Sequence, residues 1–153
     1  MIKSTQVLLA AILLITAIQS CKHSKDGPVE NISAHGKNQS HNMGQNCMNC
    51  HEPGGSGSGW FSIAGTAYNN NQSQTQPDIT VKLYTGVNRT GSLEYTIEGD
   101  SRGNFYTTKY INFNQALYPV IEKDSSVRFM STSLTTGACN SCHGVSTNKL
   151  MIE

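Results

Sequence analysis

Two short stretches hold the residues best suited to chemistry: "QNCMNCHEP" at residues 45–53 and "GACNSCHG" at residues 137–144. Each is a Cys-x-x-Cys pair followed at once by histidine, giving Cys47, Cys50 and His51 in the first and Cys139, Cys142 and His143 in the second. Two thiols at this spacing can add across the two vinyl groups of one haem, and the next histidine is then held where its imidazole reaches the iron. That is the attachment pattern of c-type haem. One such motif could arise in a zinc-binding or thioredoxin-like chain. Two of them, in a chain with only 5 His and 5 Cys, point to two covalently attached haems. A zinc site of four thiolates would leave both histidines without a reason, and disulfides across two intervening residues would stabilise little by chain entropy.

The start of the chain says where this chemistry happens. Lys3 is followed by the apolar run Val7 to Ile18, too short for a span of about 20 residues and laid out like an export signal over residues 1–20. "IQSC" resembles a bacterial lipoprotein lipobox, with Ile18 and Gln19 as departures from the usual residues, and makes Cys21 the lipid-bearing N-terminus of the mature chain. By resemblance to the enterobacterial sorting rule, Lys22 favours the outer membrane. The expected location is thus the cell envelope, lipid-anchored, facing the periplasm or the cell surface. The four other cysteines form the two pairs, in a compartment where unprotected thiols oxidise. After Cys21 the chain has 10 basic and 10 acidic residues. It has no basic run of the kind that marks a nucleic-acid partner.

The elements that must position the two motifs are strands. Residues 21–40 read as a tether and 41–59, ending in "EPGGSGSG", as an irregular first haem-binding segment whose order should come from what it binds. From Trp60 the pattern alternates. "WFSIAGTAY" (60–68), "ITVKLYT" (79–85), "SLEYTIE" (92–98), "NFYTTKY" (104–110), "LYPVIEK" (117–123) and "SVRFMST" (126–132) read as strands separated by Gly-, Asn- and Ser-rich turns. Pro119 marks its strand as an edge or a bulge. Aromatic residues such as Trp60, Tyr84 and Phe105 should fill the space between sheets. The expectation is a mainly β chain, an antiparallel β-sandwich of about six or seven strands over 60–132, with irregular haem-binding segments at both ends, the second covering 133–153. With an even number of strands between them, the motifs should be neighbours.

Across roughly residues 41–145 this layout resembles small exported c-type cytochromes with a β-sandwich set between two haem sites. The inserted part is similar to carboxypeptidase-regulatory-like, transthyretin-type domains, through "AGTAY", "ITVKLYTG" and "GDSRGNFYTT". Those domains often approach their second strand through a Gly-rich "PVAGATV" segment, where this chain has "TQPDITV". The resemblance implies an electron carrier of the envelope, not an enzyme, with exported redox proteins as partners.

Each iron then needs a second axial ligand, whose identity separates electron transfer from ligand binding. His41 has the reach and the chemistry, and is able to cross to the other iron; Met130 lies opposite Val127 and Phe129 and would look outwards if those two face the core. Each has a plain alternative, a solvated tail histidine and an edge methionine. Two other functions stay open: a haem enzyme or gas sensor with an open iron, and a haem-free surface binding module whose cysteines form disulfides or hold zinc.

Overall fold

Alternation of apolar side chains produces two sheets facing one another. The computed structural model describes residues 29–153; the export signal, Cys21 and the first part of the tether lie outside the described residues. Seven strands form: β1 (Ile63–Tyr68), β2 (Thr80–Tyr84), β3 (Leu93–Glu98), β4 (Asn104–Thr107), β5 (Tyr118–Lys123), β6 (Ser126–Phe129) and β7 (Leu150–Met151). One sheet has the order β4-β1-β7 and the other β3-β2-β5-β6. Ile63, Ala67 and Phe105 from the first meet Val81, Leu83, Ile97 and Ile121 from the second, with Ile79, Ile111, Leu117 and Ile152 closing the core. The only helical pieces among the described residues are single 3-10 turns.

All six predicted strands form, and all six lie between the two motifs. The seventh comes after the second motif and runs parallel to β1, pairing Ala67 with Leu150 and Tyr68 with Met151. The end of the chain therefore belongs to the sandwich, and Ile152 is fully buried. Three expectations change. β5 is an interior strand despite Pro119. Its missing N–H falls at the rung where β6 has ended: Met130 N donates to Pro119 O at 3.1 Å, and no reciprocal bond is needed further along. Trp60 does not fill the core but is 56 % exposed, because β1 begins only at Ile63, whereas Phe105 is buried as predicted. Residues 33–36, in the stretch read as a tether, hydrogen-bond to β4, to β3 and to the approach to β2. Ser33 N donates to Tyr106 O at 3.0 Å, Gly36 N to an Asp78 carboxylate oxygen at 2.8 Å and the Ser33 hydroxyl to Glu98 O at 2.5 Å.

β1 is the strand on which both motifs are built. A strand with one wet face alternates in burial, yet Ile63 to Ala67 are all buried. The outward residues Ala64 and Thr66 are small, and other segments lie directly on them. Gly44 N donates to Thr66 Oγ1 at 2.9 Å, and that hydroxyl donates to Asn104 Oδ1 at 2.6 Å. Along the edge of β1 away from β4, Ala64 N donates to Gly137 O at 2.9 Å, two residues before Cys139. Residues 44 and 137, each just ahead of a motif, thus close on one strand.

Candidate functional site

Both motifs fold into the same turn. Cys47–Asn49 and Cys139–Ser141 are 3-10 turns in which the histidine N–H reaches back to the first cysteine: His51 N to Cys47 O and His143 N to Cys139 O, each at 3.0 Å. In such a turn residues i, i+3 and i+4 come to one side, so both sulfurs and the imidazole share a face. Asn46 caps the first turn by accepting from Met48 N at 3.2 Å. The carbonyls at the far end accept from amides a few residues downstream: Gly57 N on Cys50 O at 2.8 Å, Thr147 N on Cys142 O at 3.0 Å.

The histidines are oriented alike by different neighbours. His51 Nδ1 lies 3.1 Å from both Ser58 O and Gly59 O, and His143 Nδ1 lies 3.0 Å from Asn148 O. A carbonyl only accepts, so Nδ1 carries the proton in both rings and the Nε2 lone pair is left for a metal. This backbone-carbonyl partner is the support that metal-bound imidazoles use. The His51 ring stacks on Phe61 at 4.1 Å and 12°, and Phe61 on Tyr106 at 4.8 Å. Gly57 permits this, because a Cβ there would stand 2.7 Å from His51 Nδ1.

Each motif opens onto its own cavity. Cys47, Cys50 and His51 line one of about 390 Å³, with His41, Phe61 and Tyr106 on its wall. Cys139, Cys142 and His143 line another of about 440 Å³ between the sheets, with Met130, Phe105 and Leu134. Both lie within the range of cofactor pockets, about 300–1,000 Å³. His41 faces its own motif and not the other, its ring centre 6.1 Å from that of His51. Met130 packs against the core from the end of β6. The premise that Val127 and Phe129 point inward does not hold, since Phe129 is 48 % exposed. His35 is occupied elsewhere, its Nε2 3.0 Å from Ile79 O. His23 and Cys21 lie outside the described residues.

The four cysteines of the motifs are free thiols. Among the described residues no three His, Cys, Asp or Glu side chains converge on one point. Burial pushes the Cys139 thiol up to about 12, with a smaller push from Cys47 and Cys142, and burial also raises Cys47. Reactive Cys-x-x-Cys oxidoreductases need the reverse, a lowered thiol. In chain prepared without haem attachment, iodoacetamide at roughly pH 8 is expected to label the exposed Cys50 and Cys142 first. Cys139 should lag an ordinary thiol by at least about a hundredfold, since near its pKa of about 12 little thiolate forms, and its rate should climb about tenfold per pH unit. Peptide mass spectrometry of quenched samples reads the rates; equal labelling at all four thiols would contradict the burial.

One residue that the sequence did not single out joins the two sites. Asn140, between the cysteines of the second motif, is 4 % exposed. Its Oδ1 accepts from Thr66 N at 3.1 Å; its Nδ2 donates to Gln45 O at 2.9 Å and to Thr66 Oγ1 at 3.0 Å. Gln45 stands two residues before Cys47, so the second motif grips the first across β1. No family model matches this chain, and no curated protein or solved structure matches it either.

Proposed function

We propose that this chain is an exported c-type cytochrome that carries two covalently attached haems and passes single electrons at the cell envelope, held there by a lipid on Cys21. The observation that carries the reading is the pair of histidines: in both motifs Nδ1 is committed to a backbone carbonyl, which leaves Nε2 free, and the ring lines the same cavity as the two cysteines of its motif. Cys47 and Cys50 would hold one haem and Cys139 and Cys142 the other, with His51 and His143 as iron ligands. Bound haem supplies a reversible one-electron couple.

What the chain itself contributes is rigidity and closeness. The Asn140 amide and the Thr66 hydroxyl fix the two turns against one strand, so little rearranges when charge changes at either site. The stacked Phe61 and Tyr106 shield one side of the first cavity from water. Two neighbouring centres on a small body suit a relay between a one-electron donor of the membrane and an exported acceptor. No helix among the described residues is long and apolar enough to cross a membrane.

Intact mass of the mature protein, produced in a bacterium with a haem-attachment system, tests the reading in one measurement. The expected mass is the chain from Cys21 plus two haems plus acyl chains. A mature protein without haem would end the cytochrome reading and leave the surface binding module. Haem-loaded protein whose iron is five-coordinate and binds carbon monoxide at both sites would favour the sensor or enzyme instead.

A further inference from the structure

We infer that the two centres are unequal: His41 completes a bis-histidine site with His51, Met130 completes a histidine–methionine site with His143, and the second site has the higher reduction potential. This rests on reading both motifs as haem sites. It adds the residue that closes each one and the order in which electrons move.

The first assignment comes from distance. A metal–imidazole nitrogen bond is about 2.0 Å and the ring centre lies roughly 1.1 Å beyond that nitrogen, so two imidazoles held on opposite sides of one iron would have centres about 6.2 Å apart. His41 and His51 stand at 6.1 Å, tilted by 36°, on the wall of one cavity. Among the described residues neither the His41 ring nor His51 Nε2 has a hydrogen-bond partner.

The second assignment comes from what the other cavity contains. His143 is the only histidine on its wall, and its sulfur candidates beyond the motif cysteines are Met130 and Met151. Met151 is held in β7, where Gln72 Nε2 lies 3.8 Å from its sulfur. Lys149, also on the wall, is committed to Gln72 O at 3.2 Å and to the face of Tyr68. Met130 is half-buried against the core at the end of β6 with its sulfur uncommitted among the described residues.

The cavities differ in polarity in the same sense. Asn31, Gln39, Ser40, Asn42 and Asn46 surround the first; Ile63, Val81, Val120, Leu134 and Leu150 surround the second. A thioether in place of an imidazole raises a haem potential, and an apolar, drier wall disfavours the more highly charged oxidised state. Both effects favour reduction of the second site. Downhill transfer inside the protein therefore runs from the His41 side to the Met130 side. One electron leaves the first centre and one arrives at the second, with no bond or proton moved.

The test is a spectroelectrochemical titration of the mature two-haem protein. Two separate one-electron waves are expected, with a methionine-to-iron charge-transfer band that disappears as the upper wave is reduced. Met130→Leu keeps the side-chain size and should abolish the band and lower only the upper wave. His41→Met should raise only the lower wave and create a second such band; haem counts from intact mass confirm that each variant is loaded. Two attached haems titrating together, or a band and upper wave unmoved in Met130→Leu, would overturn the inference while leaving the cytochrome reading intact. Absence of attached haem is a different result and overturns both.

Discussion

Gly137→Ala is expected to destabilise the protein by about 3 kcal/mol or more, seen as a lowered urea midpoint. A methyl group at this position would overlap Ser62 O and stand 2.6 Å from Ile63 Cα and 2.8 Å from Ser62 C. These are backbone atoms of and beside β1 and cannot rotate away, so the relief must come from residues 137–139 leaving the strand. That breaks the 2.9 Å bond from Ala64 N to Gly137 O and the Ala64–Ala138 bridge, and it shifts Cys139 with them. Gly36→Ala is the control. A Cβ there meets nothing within 4 Å, and the positive φ of 72° alone should cost about 1 kcal/mol. If Gly137→Ala proves no worse than Gly36→Ala, the second motif is not docked as described.

Asn140→Ala should cost about 2–4 kcal/mol, because two buried polar groups and one half-buried one lose partners with one truncation. Thr66 N loses its acceptor, Gln45 O its donor and the Thr66 hydroxyl one of its bonds. The side chain fills a position in the β1 ladder between the bond to Gly137 and the start of β7, where no strand carbonyl is at hand. Asn140→Asp keeps the acceptor for Thr66 N but removes the donor to Gln45, so it should recover part of the stability and none of the link to the first motif. Comparing urea midpoints of the two variants separates the ladder bond from that link. Identical values would mean that the acceptor kept for Thr66 N contributes nothing.

Six strands were legible because each repeats an apolar residue at every second position: Ile79, Val81 and Leu83, or Tyr95 and Ile97. β7 was not, since Leu150–Met151 is too short to show a period and is defined by a parallel partner distant in sequence. Residues 31–40 looked like a tether because their anchoring groups, Ser33 and the amide of Gly36, are polar and leave no apolar trace. The motifs themselves were plain in their spacing. His41 and Met130 were legible as candidates by reach and chemistry, but which cavity each faces depends on how 41–46 folds over Thr66 and where β6 ends. Asn140 gave no signal. Its spacer position in Cys-x-x-Cys admits any residue, and only its burial against Thr66 separates it from Ser141, which is exposed.

The seam between β1 and the chain's last segment has a bearing on biosynthesis. Its bonds join residues distant in sequence, Thr66 with Asn140 and Tyr68 with Ile152, and contacts of such long range form late. If the chain takes up haem as proposed, Cys139 and Cys142 are open to attachment until that seam shuts, and Cys139 is withdrawn afterwards. On that reading, a variant that sealed the seam faster should emerge with its second haem missing more often than its first.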